Sequence, residues 1–152
     1  MKASLPLEEF LPYRLVRASE LVSRRFAARY QAAYGISRPE WRTFAILGQL
    51  GHTTATEIGR RSTMHKTKVS RAVAALEKRG WLSRRADAAD RRIEHLELTA
   101  SGAAVYAELA AMARDFQAAL REEIGEVAAA ALEAGLAAVE ARYTSCEAPE
   151  ED

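Results

Sequence analysis

The sequence predicts a mainly α-helical fold with one small β-hairpin. Three observations carry this prediction: apolar residues at helical spacings of three and four, two Ser/Thr-x-x-Glu capping boxes, and a pair of short extended segments. The 152 residues are 49% hydrophobic and 28% charged, which suffices for a folded core and argues against global disorder. This length fits one domain, or one domain with a helical extension.

A glycine separates the first two predicted helices. The first covers residues 7–34, and Gly35 ends it, as a C-terminal glycine commonly does. Ser37 and Glu40 then form a capping box that opens the second helix, which continues to residue 50. The apolar stripe of the first helix consists of Leu11, Leu15, Ala18, Val22 and Phe26.

The remaining elements are a short helix, a fourth helix, the hairpin and two final helices. Thr54 and Glu57 form the second capping box, for a third helix that ends near residue 61. A turn leads into the fourth helix, which Gly80 closes. The sequence predicts the fourth helix at residues 65–79 and the two strands of the hairpin at 81–85 and 93–98. It predicts the two alanine-rich final helices at 100–122 and 126–143.

This order is that of a winged helix-turn-helix flanked by N- and C-terminal dimerisation helices, with the hairpin as the small β wing. The flanking helices carry more alanine surface than one small domain needs, which favours a helical dimer interface. The sequence therefore predicts a dimerisation region at residues 1–36 and 100–144, a winged helix-turn-helix region at 37–99, and a flexible acidic tail at 145–152.

Charge is distributed unevenly along the chain, although the net charge is only +1. Residues 60–92 contain 11 Lys and Arg against 3 Asp and Glu, whereas residues 100–152 contain 3 Arg against 11 acidic residues. A concentrated basic segment in a near-neutral protein indicates one surface for a polyanion. Charge alone leaves an ordinary solvated surface as an equal alternative.

The fourth helix has the composition of a DNA-reading helix. A helical wheel places Val69, Ala72, Val73 and Leu76 on one side, and it places Thr67, Arg71, Ala74 and Lys78 on the other, flanked by Lys68 and Ser70. Arginine can read guanine, hydroxyls can contact base or phosphate, and alanine permits close approach. The alternative is an ordinary amphipathic helix with a basic solvent face. The residues we expect to contact DNA, on this helix and the hairpin, are Lys66, Thr67, Lys68, Ser70, Arg71, Arg84, Asp90, Arg91 and Arg92.

The hairpin and the fourth helix together resemble the multiple-antibiotic-resistance regulator (MarR) family. Residues 87–102 are similar to its wing signature, with an Asp-x-Arg tip at Asp90 and Arg92, a Leu-x-Leu-Thr strand end at 96–99, and then Gly102. Residues 68–73 and 76–82 resemble the recognition helix of the family and the exit from it. The resemblance extends over nearly the whole chain. One departure is His65, where relatives with a similar helix start often carry an acid.

The resemblance implies a DNA-binding transcriptional regulator. Arg92 would enter a minor groove with Asp90 as its orienting partner, and Ser70 and Arg71 would contact DNA from the recognition helix. The family resemblance also implies an obligate homodimer on a palindromic operator in double-stranded DNA. Most members are repressors released by small aromatic or amphipathic ligands, and some are activators.

Other chemistries find little support. The three histidines lack metal-ligand spacing and no phosphate loop or activated nucleophile is visible, so we expect no metal, no cofactor and no enzyme activity. The single cysteine, Cys146, excludes an internal disulfide framework and fits a reducing compartment. No apolar run approaches the roughly 20 residues that span a bilayer, and no signal peptide is apparent. We expect a cytoplasmic protein with no membrane partner.

A small-molecule effector is expected near the first two helices. An arginine beside aromatic side chains could hold an aromatic carboxylate or a coenzyme A thioester of an aromatic acid. The candidate ligand-binding residues are Tyr13, Arg14, Arg17, Ser23, Trp41 and Arg42. Each could instead be a core residue or a surface ion-pair partner. Two other functions also remain open: a non-specific architectural DNA binder and a winged-helix protein-interaction module.

Overall fold

The computed structural model describes residues 5–144. It confirms the predicted fold class of helices with a small β wing. The predicted acidic tail, with Cys146, lies outside the described residues. In chain order the elements are α1 (Leu11–Tyr34), α2 (Arg38–Leu50), β1 (His52–Thr53), α3 (Ala55–Ser62), α4 (Lys66–Lys78), β2 (Leu82–Ala86), β3 (Glu94–Leu98), α5 (Ala100–Ile124) and α6 (Glu126–Thr144).

Helix α1 begins four residues later than the sequence predicted. Leu7 to Glu9 form a turn instead, and Phe10 is the N-cap. Pro12 explains the correction, because a proline has no N–H to donate to a carbonyl one turn earlier, whereas it is well tolerated in the first turn of a helix. The predicted helix end is confirmed, since Gly35 adopts the left-handed conformation with φ 62°.

The two predicted capping boxes differ in the structure. Ser37 accepts a hydrogen bond from the backbone of Glu40 and donates its own backbone N–H to the Glu40 carboxylate, so both halves of the first box form. Thr54 accepts from the backbone of Glu57 at 3.2 Å. The Glu57 carboxylate instead accepts from Arg60 and Arg61, which competes with the return half of a second box.

The wing contains a third strand that the sequence did not predict. Strand β1 has two residues and pairs antiparallel with β3, so the sheet order is β1-β3-β2. A two-residue strand is too short to show the alternation of apolar and polar residues by which strands are predicted. It forms because it pairs with β3. The β2–β3 hairpin is confirmed, with Leu82 opposite Leu98 and Ala86 opposite Glu94. Each of its strands starts one residue later than predicted, and β2 also ends one residue later.

The winged-helix core lies among α2, α3, α4 and the sheet. Phe44, Leu47, Ile58, Leu76 and Leu96 are all fully buried there. Burying side chains of this size stabilises a fold by about 1.5–3 kcal/mol each. Since α4 must present its apolar side to this core, its polar side faces outward.

The chain forms two compact units that divide after Ala111, within α5. The first unit contains α1 to β3 and the first half of α5. The second contains the rest of α5 and α6, where Arg121 makes ion pairs with Glu126 and Glu133. No helix within residues 5–144 is long and apolar enough to cross a membrane.

Candidate nucleic-acid interface

Helix α4 presents a continuous polar surface. Its apolar stripe is buried as predicted, with Val69 and Val73 each 1% exposed and Leu76 fully buried. The predicted DNA-contacting residues of the helix are all exposed: Lys66, Thr67, Lys68, Ser70 and Arg71. His65 is the N-cap, and its side chain makes no capping hydrogen bond.

The basic groups of this surface are not neutralised by neighbouring acids. Among residues 5–144, no carboxylate lies within ion-pair distance of Lys66, Lys68 or Arg71. Glu77, the acid on this helix, is held by Arg84 of β2 at 2.9 Å. A solvent-facing helix surface with uncompensated cations attracts a polyanion.

The tip of the wing holds one arginine in a fixed orientation. Asp90 accepts three hydrogen bonds from Arg92, each of 3.0 Å, from the backbone N–H, Nε and Nη2. The Arg92 side chain is nevertheless 90% exposed. The hydrogen bonds from the Arg92 guanidinium, and to a lesser extent the bond from the Arg92 backbone N–H, lower the pKa of the Asp90 carboxyl. The pair therefore stays ionised and points a planar cation into solvent.

A second aspartate shapes the wing loop, and the sequence analysis gave it no role of its own. The Asp87 carboxylate accepts from the backbone N–H groups of Ala89 at 2.8 Å and Asp90 at 3.0 Å, while its other oxygen lies 2.8 Å from Nε2 of His95. These bonds, His95 first, lower the pKa of Asp87 to about 2. An aspartate that opens a tight turn often bonds its own backbone two residues on, and this was the readable signal.

Arg84 is committed to acids of the protein. Its guanidinium donates to Glu77 of α4 at 2.9 Å and to Glu94 of β3 at 3.2 Å, and its side chain is 30% exposed. Arg84 of β2 therefore links helix α4 to β3. This arrangement favours a positioning role for Arg84 over the predicted direct contact with DNA. Arg91, by contrast, is exposed at the wing tip, as the prediction of a DNA contact requires.

A recess separates α4 from the wing. It has a volume of about 540 Å³, and its lining includes the apolar Val69 and Val73 as well as the polar Lys66, Ser70 and Arg84. Helix α4 and the wing therefore flank a recess while Arg84 links them.

The region from α2 to the wing tip matches a known protein family. A model of the MarR family matches residues 34–93, which run from the end of α1 to the wing tip. The winged-helix part of the chain is therefore similar to the MarR family. No match was found among curated proteins.

Solved structures extend the likeness of the MarR-family fold over most of the chain. The MarR-family transcriptional regulator SPO1453 from Silicibacter pomeroyi DSS-3 is 29% identical, with a TM-score of 0.78, and the match covers 90% of this chain and 96% of that one. NadR in complex with 4-hydroxyphenylacetate is 22% identical, with a TM-score of 0.72 and coverage of 91% and 97%. The multiple antibiotic resistance repressor MarR is 19% identical, with a TM-score of 0.69 and coverage of 90% and 96%.

The effector residues expected for a MarR-family regulator fall into two separate recesses. Ser23, Trp41 and Arg42 line a recess of about 70 Å³ between α1 and α2. The remaining three line a different recess of about 180 Å³ along α1: Tyr13, Arg14 and Arg17. The structure therefore does not bring the six candidates together.

The recess at Trp41 is an aromatic cluster bordered by arginines. Trp41 stacks on Tyr30 at 5.6 Å between ring centroids, and Phe26 meets Trp41 edge-on at 5.1 Å. Arg38 also lines this recess, and its guanidinium is held by Glu20 at 2.8 Å and 3.1 Å. The sequence analysis missed these partners as recess residues, although the i, i+4 spacing of Phe26 and Tyr30 placed both on one face of α1.

Among residues 5–144, no three His, Cys, Asp or Glu side chains are grouped so that they could hold a metal ion.

Proposed function

We propose that this MarR-family chain is a homodimeric transcriptional regulator that binds an inverted-repeat DNA operator. The observation that carries the proposal is the Asp90–Arg92 pair, which presents an oriented, 90% exposed guanidinium at the wing tip. An arginine so placed fits a narrow minor groove, where the negative potential is concentrated. The uncompensated basic surface of α4 supplies the second contact.

The two elements divide the work of recognition. Thr67, Ser70 and Arg71 of α4 enter a major groove, where hydroxyls and a guanidinium can read base edges. Arg92 enters the neighbouring minor groove. Lys66, Lys68 and Arg91 contact phosphates, which add affinity and salt dependence but no sequence information. Arg84 holds the wing against α4 through Glu77.

A second copy of this chain is the natural partner of the helical regions. On α6, Leu132, Leu136, Val139 and Tyr143 recur at spacings of four and three, and all are at least 36% exposed. On α1, Leu11 of the predicted stripe is 60% exposed. Exposed apolar side chains of this kind, here seen within residues 5–144, are typical of an interface between subunits. A two-fold dimer would place its half-sites about 10 bp apart.

The effector we propose is a small aromatic carboxylate or its coenzyme A thioester, which releases a repressor from its operator. Arg42 and Arg38 could pair with the carboxylate while Trp41 and Tyr30 stack on the ring. The bound 4-hydroxyphenylacetate of NadR supports this ligand class. The recess is far smaller than the roughly 300 Å³ of an ordinary ligand pocket, so entry requires Trp41 to move. Such a movement could give the ligand different affinities for two states, as release requires.

Selection of bound fragments from a random duplex library tests the DNA proposal. The winning duplex is then titrated against a scrambled duplex at several salt concentrations. We expect a two-fold-symmetric motif with a preference of about 10³ or more over the scrambled DNA. Binding with a salt slope but no motif would instead support an architectural DNA binder. An absence of binding at low salt would redirect the search to protein partners.

Competition with the operator complex tests the effector proposal. 4-Hydroxyphenylacetate and related aryl carboxylates are titrated into the complex, and DNA release is followed by fluorescence anisotropy. Arg42→Gln should weaken the response, whereas Arg14→Gln, in the other recess, should leave it unchanged. Equal responses of the two variants would remove the Trp41 recess from the mechanism.

A further inference from the structure

A chain of hydrogen bonds runs from the sheet to the tip of the wing. His95 of β3 contacts the Asp87 carboxylate at 2.8 Å, and that carboxylate accepts from the backbone N–H of Asp90 at 3.0 Å. Asp90 in turn holds Arg92 by three bonds of 3.0 Å. The side chains of His95 and Asp87, the backbone N–H of Asp90 and the Asp90 carboxylate thus connect strand β3 to the exposed Arg92 guanidinium.

The two ends of this chain differ in their freedom. His95 lies on β3 directly opposite Arg85 of β2, and its side chain is 31% exposed. Arg92 belongs to the loop between the strands, and its side chain is 90% exposed. The loop is closed across its base by the Asp87 N–H, which donates to the carbonyl of Ile93 at 2.9 Å. His95 is therefore the anchored end, and Arg92 is the end that moves if a link is lost.

We propose that His95 is a positioning residue for DNA binding, which braces Asp87 so that the wing tip holds Arg92 in place, and that protonation of His95 tightens this brace. The inference rests on the proposed DNA-binding function. A carboxylate carries no hydrogen, so Nε2 of His95 donates to Asp87 in either charge state. Because Asp87 is ionised, this bond is charge-assisted in either state, and protonation of His95 adds the second charge that turns it into an ion pair.

The groups around His95 determine the sign of the effect. The β-register places four charged or titratable side chains on this face of the sheet or its loop: His52, Arg85, Asp87 and Glu97. Arg85 and the ring of His52, whose centroid is 6.4 Å away, oppose a charge on His95, whereas Asp87 and Glu97 favour it. Asp87 is the group in direct contact, and its lowered pKa, about 2, keeps it ionised throughout the working range. Asp87 is therefore the group through which a charge on His95 acts on the loop.

Amide exchange in the free protein tests the brace without DNA. Fast exchange at the backbone N–H groups of Ala89 and Asp90 is measured by NMR at about pH 6 and about pH 8. In His95→Gln we expect protection of these amides to fall about threefold or more at the lower pH. His65→Gln, which removes a histidine outside this network, is the control. Protection equal to that of the unaltered protein in His95→Gln would overturn the proposal.

Operator affinity at fixed ionic strength tests the consequence for DNA. His95→Gln should weaken binding about tenfold at about pH 6 and less at about pH 8, so that its pH profile is flatter than that of the unaltered protein. Asp87→Asn should have the same effect, and the double variant should lose little more than either single variant. A profile in His95→Gln that keeps the original slope would overturn the inference.

The two measurements distinguish the failure of this inference from the failure of the proposed function. If the unaltered protein selects no DNA motif, the proposed function fails, and with it the DNA role of His95. If it binds a motif and neither variant changes the pH profile, the DNA function stands and the positioning role of His95 is wrong.

Discussion

Gly102, in the first turn of α5, lies against the carbonyl oxygen of Trp81, and a Cβ at position 102 would be 1.9 Å from that oxygen. The same oxygen accepts the backbone N–H of Thr99 at 3.1 Å. In addition, the hydroxyls of Thr99 and Ser101 donate to the carbonyl of Gly80, at 2.6 Å and 3.0 Å. The start of α5 is thus locked to the start of β2 by contacts that need a glycine.

Gly102→Ala should destabilise the fold by about 2 kcal/mol or more, because backbone on both sides of the contact must shift. Gly59→Ala in α3 is the matched control, since its Cβ would lie at an ordinary 3.4 Å from the nearest atom. That variant should be neutral or gain up to about 1 kcal/mol from its helix position. Urea unfolding measures both, and equal midpoints would contradict the close approach.

Arg92→Ala should weaken operator binding by about 1–3 kcal/mol, the size of one good groove contact. Asp90→Asn gives a sharper result, because it removes a negative charge beside DNA and yet should also weaken binding. The reason is that an amide cannot accept both guanidinium bonds that now orient Arg92. Titration at matched salt measures the effect. Tighter binding by Asp90→Asn would show that orientation is unimportant.

Arg84→Gln should lower operator affinity without changing its salt dependence, because Arg84 is paired with Glu77 and Glu94. Lys68→Gln is the comparison, since loss of a phosphate contact should reduce the slope of log K against log salt by about 1. The partly exposed ion pairs of Arg84 should contribute less than about 1 kcal/mol to stability. A slope reduced equally in both variants would restore Arg84 as a direct DNA contact.

Leu136→Glu should shift the protein from dimer to monomer, because a buried charge in an apolar interface is unfavourable. Leu136 lies with Leu132, Val139 and Tyr143 within about 60° on a helical wheel, whereas Val127 lies on the opposite side. Val127 is 87% exposed, so Val127→Glu should leave the dimer intact. Sedimentation velocity separates these outcomes, and a dimeric Leu136→Glu would exclude this face of α6 from the interface.

Acid should destabilise the fold partly through Glu57 and Asp87. The bonds from Arg60 and then Arg61 lower the pKa of Glu57 to about 2, and those from His95 and the loop backbone lower that of Asp87 to about 2. Because both pKa values are depressed in the folded state, their stabilisation is present above about pH 4 and is lost as the pH falls toward about 2. In thermal melts between about pH 5 and about pH 2, the melting temperature of Glu57→Gln should fall less steeply than that of the unaltered protein. Glu122→Gln, at an exposed position, is the control, and an identical decline in all three proteins would contradict this account.

Local sequence features predicted most of the fold. Helix starts, helix ends and apolar stripes each depend on residues within one or two turns, so they can be read from spacing alone. Examples are the capping box of Ser37 and Glu40, the helix end at Gly35, and the stripe of Val69, Val73 and Leu76. The Asp-x-Arg tip was likewise readable, because Asp90 and Arg92 are neighbours in the sequence. The late start of α1 is a local effect of Pro12 that the prediction overlooked.

The tertiary structure decided the contacts between residues distant in the sequence. Strand β1 exists because His52 and Thr53 meet β3 more than forty residues later. Three other features also depend on how elements pack. They are the ion pair of Arg84 with Glu77, the division of the effector candidates between two recesses, and the His95–Asp87 contact. The sequence by itself therefore determined which elements form and which of their faces are apolar, since these depend on short-range periodicity. Which charged side chains are paired within the protein was decided only by the fold, because ion pairing depends on distances that packing sets.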